Sequence, residues 1–228
     1  MNIVITGANR GIGLELARQY LARGDSVFAG VRTPDSSGRL MALGEASGGR
    51  LHIHACDVMQ DASVRSFASA ITQHVDLLIN NAGVKLEKDE LADLDLENAA
   101  RTYQVNVLGV LRVTLALLPA LRRSPHPKIA NISSGLGSLD RNTAGGIYGY
   151  RMSKAALNMA SRSLAHDLRK DAIITVVLTP GWVKTDMGGS GATTDVADSA
   201  AGLIGVIDRL TPEDSGRYIS FQGESVPW

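Results

Sequence analysis

Asn2-Ile3-Val4-Ile5-Thr6-Gly7-Ala8-Asn9-Arg10-Gly11-Ile12-Gly13 decides the fold. Residues 2–6 form a short apolar run, the pattern of a buried strand. The run opens into a glycine-rich turn, after which Leu14, Ala17, Tyr20 and Leu21 recur at helical spacing. Strand, glycine turn and helix in that order make a phosphate-binding context. Glycines let a backbone approach a pyrophosphate, and the helix N-terminus adds unpaired N–H groups and a positive dipole end. The spacing here is GxxxGxG rather than the general GxGxxG, so a plain tight turn is the competing reading.

Outward from this unit, apolar runs alternate with helical patterns. Further strands are expected at 26–31, 51–55, 75–79, 127–132, 173–178 and 217–221, and helices at 35–49, 62–72, 97–118, 148–169 and 196–210. The 97–118 helix either ends at Pro119 or kinks toward Arg123. Regular alternation with no linker predicts one α/β domain over residues 1–228. Its core is a doubly wound, Rossmann-like parallel sheet of about seven strands with helices on both faces. Ligands of such sheets bind beyond the C-terminal strand ends. The segments 7–13, 32, 57, 80–83, 134 and 180–185 all fall at such ends, which argues for a single site.

Bulk properties narrow the function. With 23 basic and 23 acidic residues, the chain offers no electrostatic case for nucleic acid or an anionic membrane. One cysteine, Cys56, rules out an intrachain disulfide; it reads as a small buried residue at a strand end. His52 and His54 alternate along a strand without a third ligand, so no metal site is expected. No signal peptide is expected, because residues 2–6 already read as a strand, and no apolar run nears the ~18 residues of a membrane span. A cytoplasmic protein is the matching expectation.

Several polar residues invite chemistry. The second strand ends in Arg32, where an acidic residue would hold the ribose 2′-OH of NAD. Arginine suits a 2′-phosphate instead, and Arg10 could reach the same group, which favours NADP(H). Asp57 could accept from an adenine amino group or cap a turn. Asn106, a poor helix former in an apolar helix, needs a partner. Tyr150 and Lys154 stand four apart at the start of a helix, on one face; Tyr148 is six away, on another side. A free phenol has a pKa near ~10, and a neighbouring ammonium or helix N-terminus favours its ionised form.

Taken together, TGANRGIG at 6–13, NNAG at 80–83, Asn106, NISS at 131–134, YRMSK at 150–154 and PGWVKT at 180–185 resemble the short-chain dehydrogenase/reductase family. The resemblance covers essentially the whole chain. More narrowly, residues 142–158 and 215–228 resemble the C-factor and sniffer-type carbonyl reductase branch.

The resemblance implies a catalytic set. Tyr150 would be the acid/base, Lys154 would lower its pKa and hold the ribose, Ser134 would bond the substrate oxygen, and Asn106 would hold a relay water. Gly7, Asn9, Gly11, Ile12 and Gly13 would line the pyrophosphate, with Arg10 and Arg32 at the 2′-phosphate. Asp57 and Val58 would meet the adenine, and Asn81, Ala82 and Gly83 the adenosine side. Pro180, Gly181, Val183 and Thr185 would border the nicotinamide. Ser134 lies sixteen positions before Tyr150, a longer step than is usual in the family, so Ser133 and Ser138 are alternative candidates.

The implied activity is NADP(H)-dependent hydride transfer to or from a small carbonyl or alcohol substrate. Leu136, Tyr148, Trp182 and Met187 are its candidate pocket, Trp182 being equally suited to a core. A nucleotide-binding signalling protein with little turnover is the alternative. Assembly as a homodimer or homotetramer through the two long helices is the implied quaternary state.

Overall fold

A computed structural model describes residues 1–228. The elements run in the expected order. They are β1 (Asn2–Thr6), α1 (Gly11–Ala22), β2 (Ser26–Val31), α2 (Gly38–Ala46), β3 (Leu51–Ala55), α3 (Asp61–Ser69), β4 (Leu77–Asn80), α4 (Leu96–Tyr103), α5 (Gly109–Leu121), β5 (Lys128–Ile132), α6 (Tyr148–Asp167), β6 (Ile174–Thr179), α7 (Val196–Arg209) and β7 (Tyr218–Ser220). All seven strands are parallel, in the order β3-β2-β1-β4-β5-β6-β7. Strand order reverses between β1 and β4, which opens a crevice at their C-terminal ends.

The period of two along β1 builds two core layers. Ile3 and Ile5 pack with Leu16 and Tyr20 of α1 and Leu203 of α7. Val4, between them, faces the opposite way, toward Phe67 of α3 and Leu117 of α5. All three β1 side chains are fully buried, which is why the strand reads as an unbroken apolar run.

Two local features differ from expectation. The helix of 97–118 starts at Leu96, where the Asp95 carboxylate accepts from Glu97 N and Asn98 N. It passes through Pro119 to Leu121. Its irregularity lies instead at a π-helical turn, Gln104–Leu108, closed by Gly109 N donating to Gln104 O. Asn106 sits inside that turn. Joined this way, Leu96–Leu121 is long and apolar enough to cross a membrane, with mean hydropathy 1.6, but 56% of that window is buried within the fold. It is the core helix on which β4 and β5 rest.

Cys56 is buried and its thiol is pushed up to about 12, chiefly by burial. His52 stacks on Phe28 with ring centroids 4.7 Å apart, and His54 tilts against Phe67. No cluster of His, Cys, Asp and Glu could hold a metal ion.

Candidate active site

The glycine turn after β1 is held by the segment after β4. Thr6 Oγ1 accepts from Asn81 N and Ala82 N, both at 3.1 Å. Asn81 Nδ2 donates to Thr6 O at 3.0 Å and Gly7 O at 3.1 Å. The Asn81 side chain thus staples the turn. Gly13 is compulsory here, since a β-carbon would lie 2.4 Å from Gly7 O and from Asn81 Nδ2. Gly13→Ala is accordingly expected to lower the melting temperature by about 3–10 °C, the cost of overpacking against backbone. Calorimetry showing an unchanged melting temperature would refute that close approach.

The start of α1 is built for an anion. Arg10, its N-cap, makes no side-chain capping bond, and the first turn carries no acidic residue. Its N–H groups are left for an external acceptor, and glycine keeps side chains out of their way. Arg32 follows β2 directly and is exposed. Arg10 is exposed too and reaches across to Asp186 of the segment after β6, at 3.4 Å. That segment closes over the turn, as a β-carbon on Gly11 would lie 3.3 Å from Thr185 Cγ2. Thr185 Oγ1 approaches Val183 O at 3.4 Å and accepts from Gly188 N at 3.2 Å. Pro180 O accepts from Ser199 Oγ at 2.7 Å, tying the β6 exit to α7. Uncapped helix, glycine cradle and two exposed arginines fit a phosphorylated dinucleotide.

Asp57 Oδ1 accepts from Met59 N at 3.0 Å and so caps its own turn. Val58 is buried against Gly109 of α5. Asp57 is only half-buried; its N–H donates to Ser63 Oγ at 2.9 Å, and its Oδ2 makes no hydrogen bond within the chain.

The opposite wall carries the titratable groups. Tyr150 and Lys154 are both buried on α6, with Lys154 Nζ 5.7 Å from the Tyr150 ring centroid. Lys154 Nζ donates to Ile132 O at 2.9 Å, and burial pulls its pKa down to about 8. Burial pushes the Tyr150 phenol up from its ordinary value, and the neighbouring Ser134 side chain pulls it back only in part. Burial is the largest influence on the phenol.

The three serines part company. Ser133 Oγ donates to Asn158 Oδ1 at 2.6 Å, and Ser138 Oγ to Trp228 O at 3.3 Å. Ser134 Oγ accepts from Leu136 N at 3.2 Å, which leaves its hydroxyl proton for the phenol side.

Asn106 stands beside Lys154, with Gly83 between them. A β-carbon on Gly83 would lie 3.3 Å from Asn106 Oδ1 and 3.7 Å from Lys154 Nζ. The amide of Asn106 is largely spent, however. Nδ2 donates to Val84 O at 2.9 Å and Ser153 Oγ at 3.0 Å, and Oδ1 accepts from Val84 N at 2.8 Å. One lone pair on Oδ1 is the side chain's remaining capacity for a water.

Of the expected pocket residues, Leu136 and Tyr148 are half-buried, while Trp182 and Met187 are exposed. Trp182 is therefore not core. Its Nε1 donates to Gly188 O at 2.7 Å, and Gly191 lies on its ring.

Supporting residues went unread in the sequence. Asn80 Nδ2 donates to Asn131 Oδ1 at 2.8 Å and Asn131 Nδ2 to Ser161 Oγ at 2.9 Å, tying β4, β5 and α6 together. Tyr218 Oη donates to Ser134 O, and Trp228 packs on the Tyr218 ring with centroids 5.5 Å apart. Asn80 and Asn131 lie within matched motifs; Ser161 lies beyond them on α6, and Tyr218 in the tail, where only long-range contact reveals their use.

Known proteins were compared with this arrangement. The profile of the short chain dehydrogenase family matches residues 1–195. The C-signal of Myxococcus xanthus is 53% identical over 166 residues, covering 72% of this chain and all of that protein. The NADPH-bound carbonyl reductase from chicken fatty liver superposes with a TM-score of 0.94 at 32% identity, covering 100% of this chain and 98% of that one. The carbonyl reductase Sniffer of D. melanogaster gives 0.95 at 32% identity, covering 100% and 99%. Fold, site layout and these likenesses agree that the chain belongs to the short-chain dehydrogenase/reductase family, of the type that includes the C-signal and Sniffer proteins.

Proposed function

We propose that the protein is an NADP(H)-dependent oxidoreductase acting on a small carbonyl or alcohol substrate, with Ser134, Tyr150 and Lys154 carrying the proton chemistry. The observation behind this reading is the meeting of Ser134, Tyr150 and Lys154 at the C-terminal strand ends, beside an uncapped helix N-terminus. NADPH-bound carbonyl reductase from chicken fatty liver, similar over the whole chain, supports the cofactor and reaction class.

When bound, NADPH supplies the hydride. Ser134 and Tyr150 hydrogen-bond the substrate oxygen and stabilise the negative charge that develops there. Tyr150, kept neutral by burial, gives its proton to that oxygen, so the carbonyl becomes an alcohol. Lys154 then returns a proton to the phenolate. Asn106 braces the π turn against the segment that borders Lys154, with its last lone pair available to a relay water. Leu136, Tyr148, Trp182 and Met187 border the substrate, and the absence of charge among them suits a neutral compound. Turnover of an aldehyde and ketone panel with NADPH tests the reading; no turnover by well-folded protein would sink it.

Arg10 and Arg32 are proposed to select the 2′-phosphate. Replacing both by alanine is expected to weaken NADPH binding by about 10–100-fold, the loss of charge-assisted bonds, and to leave NADH binding little changed. Titration of the double variant with each cofactor checks this, and an equal effect on both would refute it.

A second reading rests on the 53% identity to C-signal: a nucleotide-binding signalling protein with little turnover. A raised melting temperature with NADPH but no turnover on the panel would favour it. For assembly we propose a homodimer or homotetramer through α4–α5 and α6. Leu96, Leu115, Met152 and Met159 are exposed apolar side chains on those helices.

A further inference from the structure

Asp89 lies in the stretch between β4 and α4, sixty residues from the helix that carries Tyr150. That helix cannot cap itself. The residue before it, Ile147, has a left-handed backbone (φ 50°), a hydrocarbon side chain and no capping bond. Its first intrahelical bond is Arg151 N to Ile147 O, at 2.9 Å. The N–H groups of Tyr148, Gly149 and Tyr150 are left over, as at any helix start.

Asp89 takes all three. Its backbone carbonyl accepts from Tyr148 N at 2.9 Å, Oδ1 from Gly149 N at 2.5 Å, and Oδ2 from Tyr150 N at 3.0 Å. The approach needs a glycine at 149, where a β-carbon would lie 2.9 Å from Asp89 Oδ1 and from Ala99 Cα. Asp89 is itself held. Asp95 N donates to Lys88 O at 2.9 Å, and Val84, at the start of the same stretch, is gripped on both backbone groups by Asn106. The carboxylate is thus a rigid acceptor fixed to the α4 side of the site.

We propose that Asp89 is a positioning residue for Tyr150: by binding the N–H groups of Gly149 and Tyr150 it sets where the phenol stands relative to Ser134. The inference rests on Tyr150 being the proton donor. A carboxylate at a helix start also contributes stability, so turnover must be separated from folding.

The test is kinetic, run well below each variant's melting temperature with NADPH and a carbonyl substrate that the wild type reduces. Asp89→Ala is expected to lower kcat by about 10–100-fold, the cost of a slightly misplaced catalytic group, with the NADPH Kd within about twofold of wild type. Asp89→Asn keeps the volume and one acceptor oxygen and is expected to lose only about 3–10-fold, a partial rescue. Amide deuterium exchange should quicken in residues 148–153 of Asp89→Ala. Wild-type kcat in Asp89→Ala, or equal losses of kcat and NADPH affinity, would overturn the proposal. If Asp89→Ala fails to fold, wild-type kcat in Asp89→Asn overturns it. Tyr150→Phe in the same assay separates the two claims. Its full activity would remove the role of Tyr150 and that of Asp89 together. Its inactivity beside an active Asp89→Ala would remove only that of Asp89.

Discussion

Tyr150→Phe is expected to lower carbonyl reduction by about 10²–10⁴-fold while NADPH still binds, because it removes the proton donor and nothing else of similar size. The phenol is buried, and burial raises its pKa, so at neutral pH it holds the proton that reduction consumes. Ser134 can donate a hydrogen bond to a developing oxyanion but is no substitute acid. The phenyl ring keeps the packing on α6, and the Lys154 contact with Ile132 O does not involve the phenol. Steady-state rates and a separate NADPH titration check the prediction. Near wild-type kcat would remove Tyr150 from the mechanism.

Lys154→Met should abolish most turnover and also make the folded protein more heat-resistant at neutral pH. The ammonium is buried, and desolvation alone brings its pKa from 10.5 to about 8. Folding at pH 7 therefore carries a penalty of order 3 kcal/mol for the buried cation. The sign follows from proton counts. Between about pH 8 and 10.5 the unfolded chain holds this proton and the folded chain has released it, so wild-type stability rises with pH across that window. Below the window the penalty is complete. Methionine fills a similar volume without charge, although Ile132 O loses its donor. The net expectation is a melting temperature higher by about 2–6 °C at pH 7, with the gap closing toward pH 10.5. Melting curves of both proteins across that range, without cofactor, test it. A less stable variant at pH 7 would mean that the hydrogen bond to Ile132 outweighs the burial cost.

Such a trade places Lys154 among residues retained against stability. The Asn80–Asn131–Ser161 chain likewise places polar groups in the core, joining β4, β5 and α6. Their partners lie on other elements, so none could be judged from its own neighbours in sequence; Asn80 Oδ1 is left without a partner in the chain.

Much of the architecture was legible because parallel strands and their crossover helices announce themselves locally. Residues 3–5 are apolar and fully buried, and the helical spacing after Gly13 leaves one assignment for that unit. The pairing of Tyr150 with Lys154 was legible for the same reason, since a four-residue step on a helix fixes a common face. What stayed hidden depends on contacts between distant segments. Asn106 reads in sequence as a polar group in need of a partner, but that its partners are Val84 and Ser153 shows only in the fold. Pro119 leaves open whether the helix ends or continues; it runs on to Leu121, and its irregularity is the π turn, which the sequence does not mark.

The sequence by itself determined the order of elements, the crevice at the C-terminal strand ends and the residue types that line it. These follow from periodicity, glycine placement and the handedness of crossovers, all local or topological properties. Only the tertiary structure decided that Ser133 and Ser138 are engaged elsewhere while Ser134 is left for the phenol, that burial raises the phenol's pKa, and that Asp89 completes the helix carrying it. Those outcomes depend on desolvation and on hydrogen bonds between residues tens of positions apart, and neither quantity exists until the chain has closed around them.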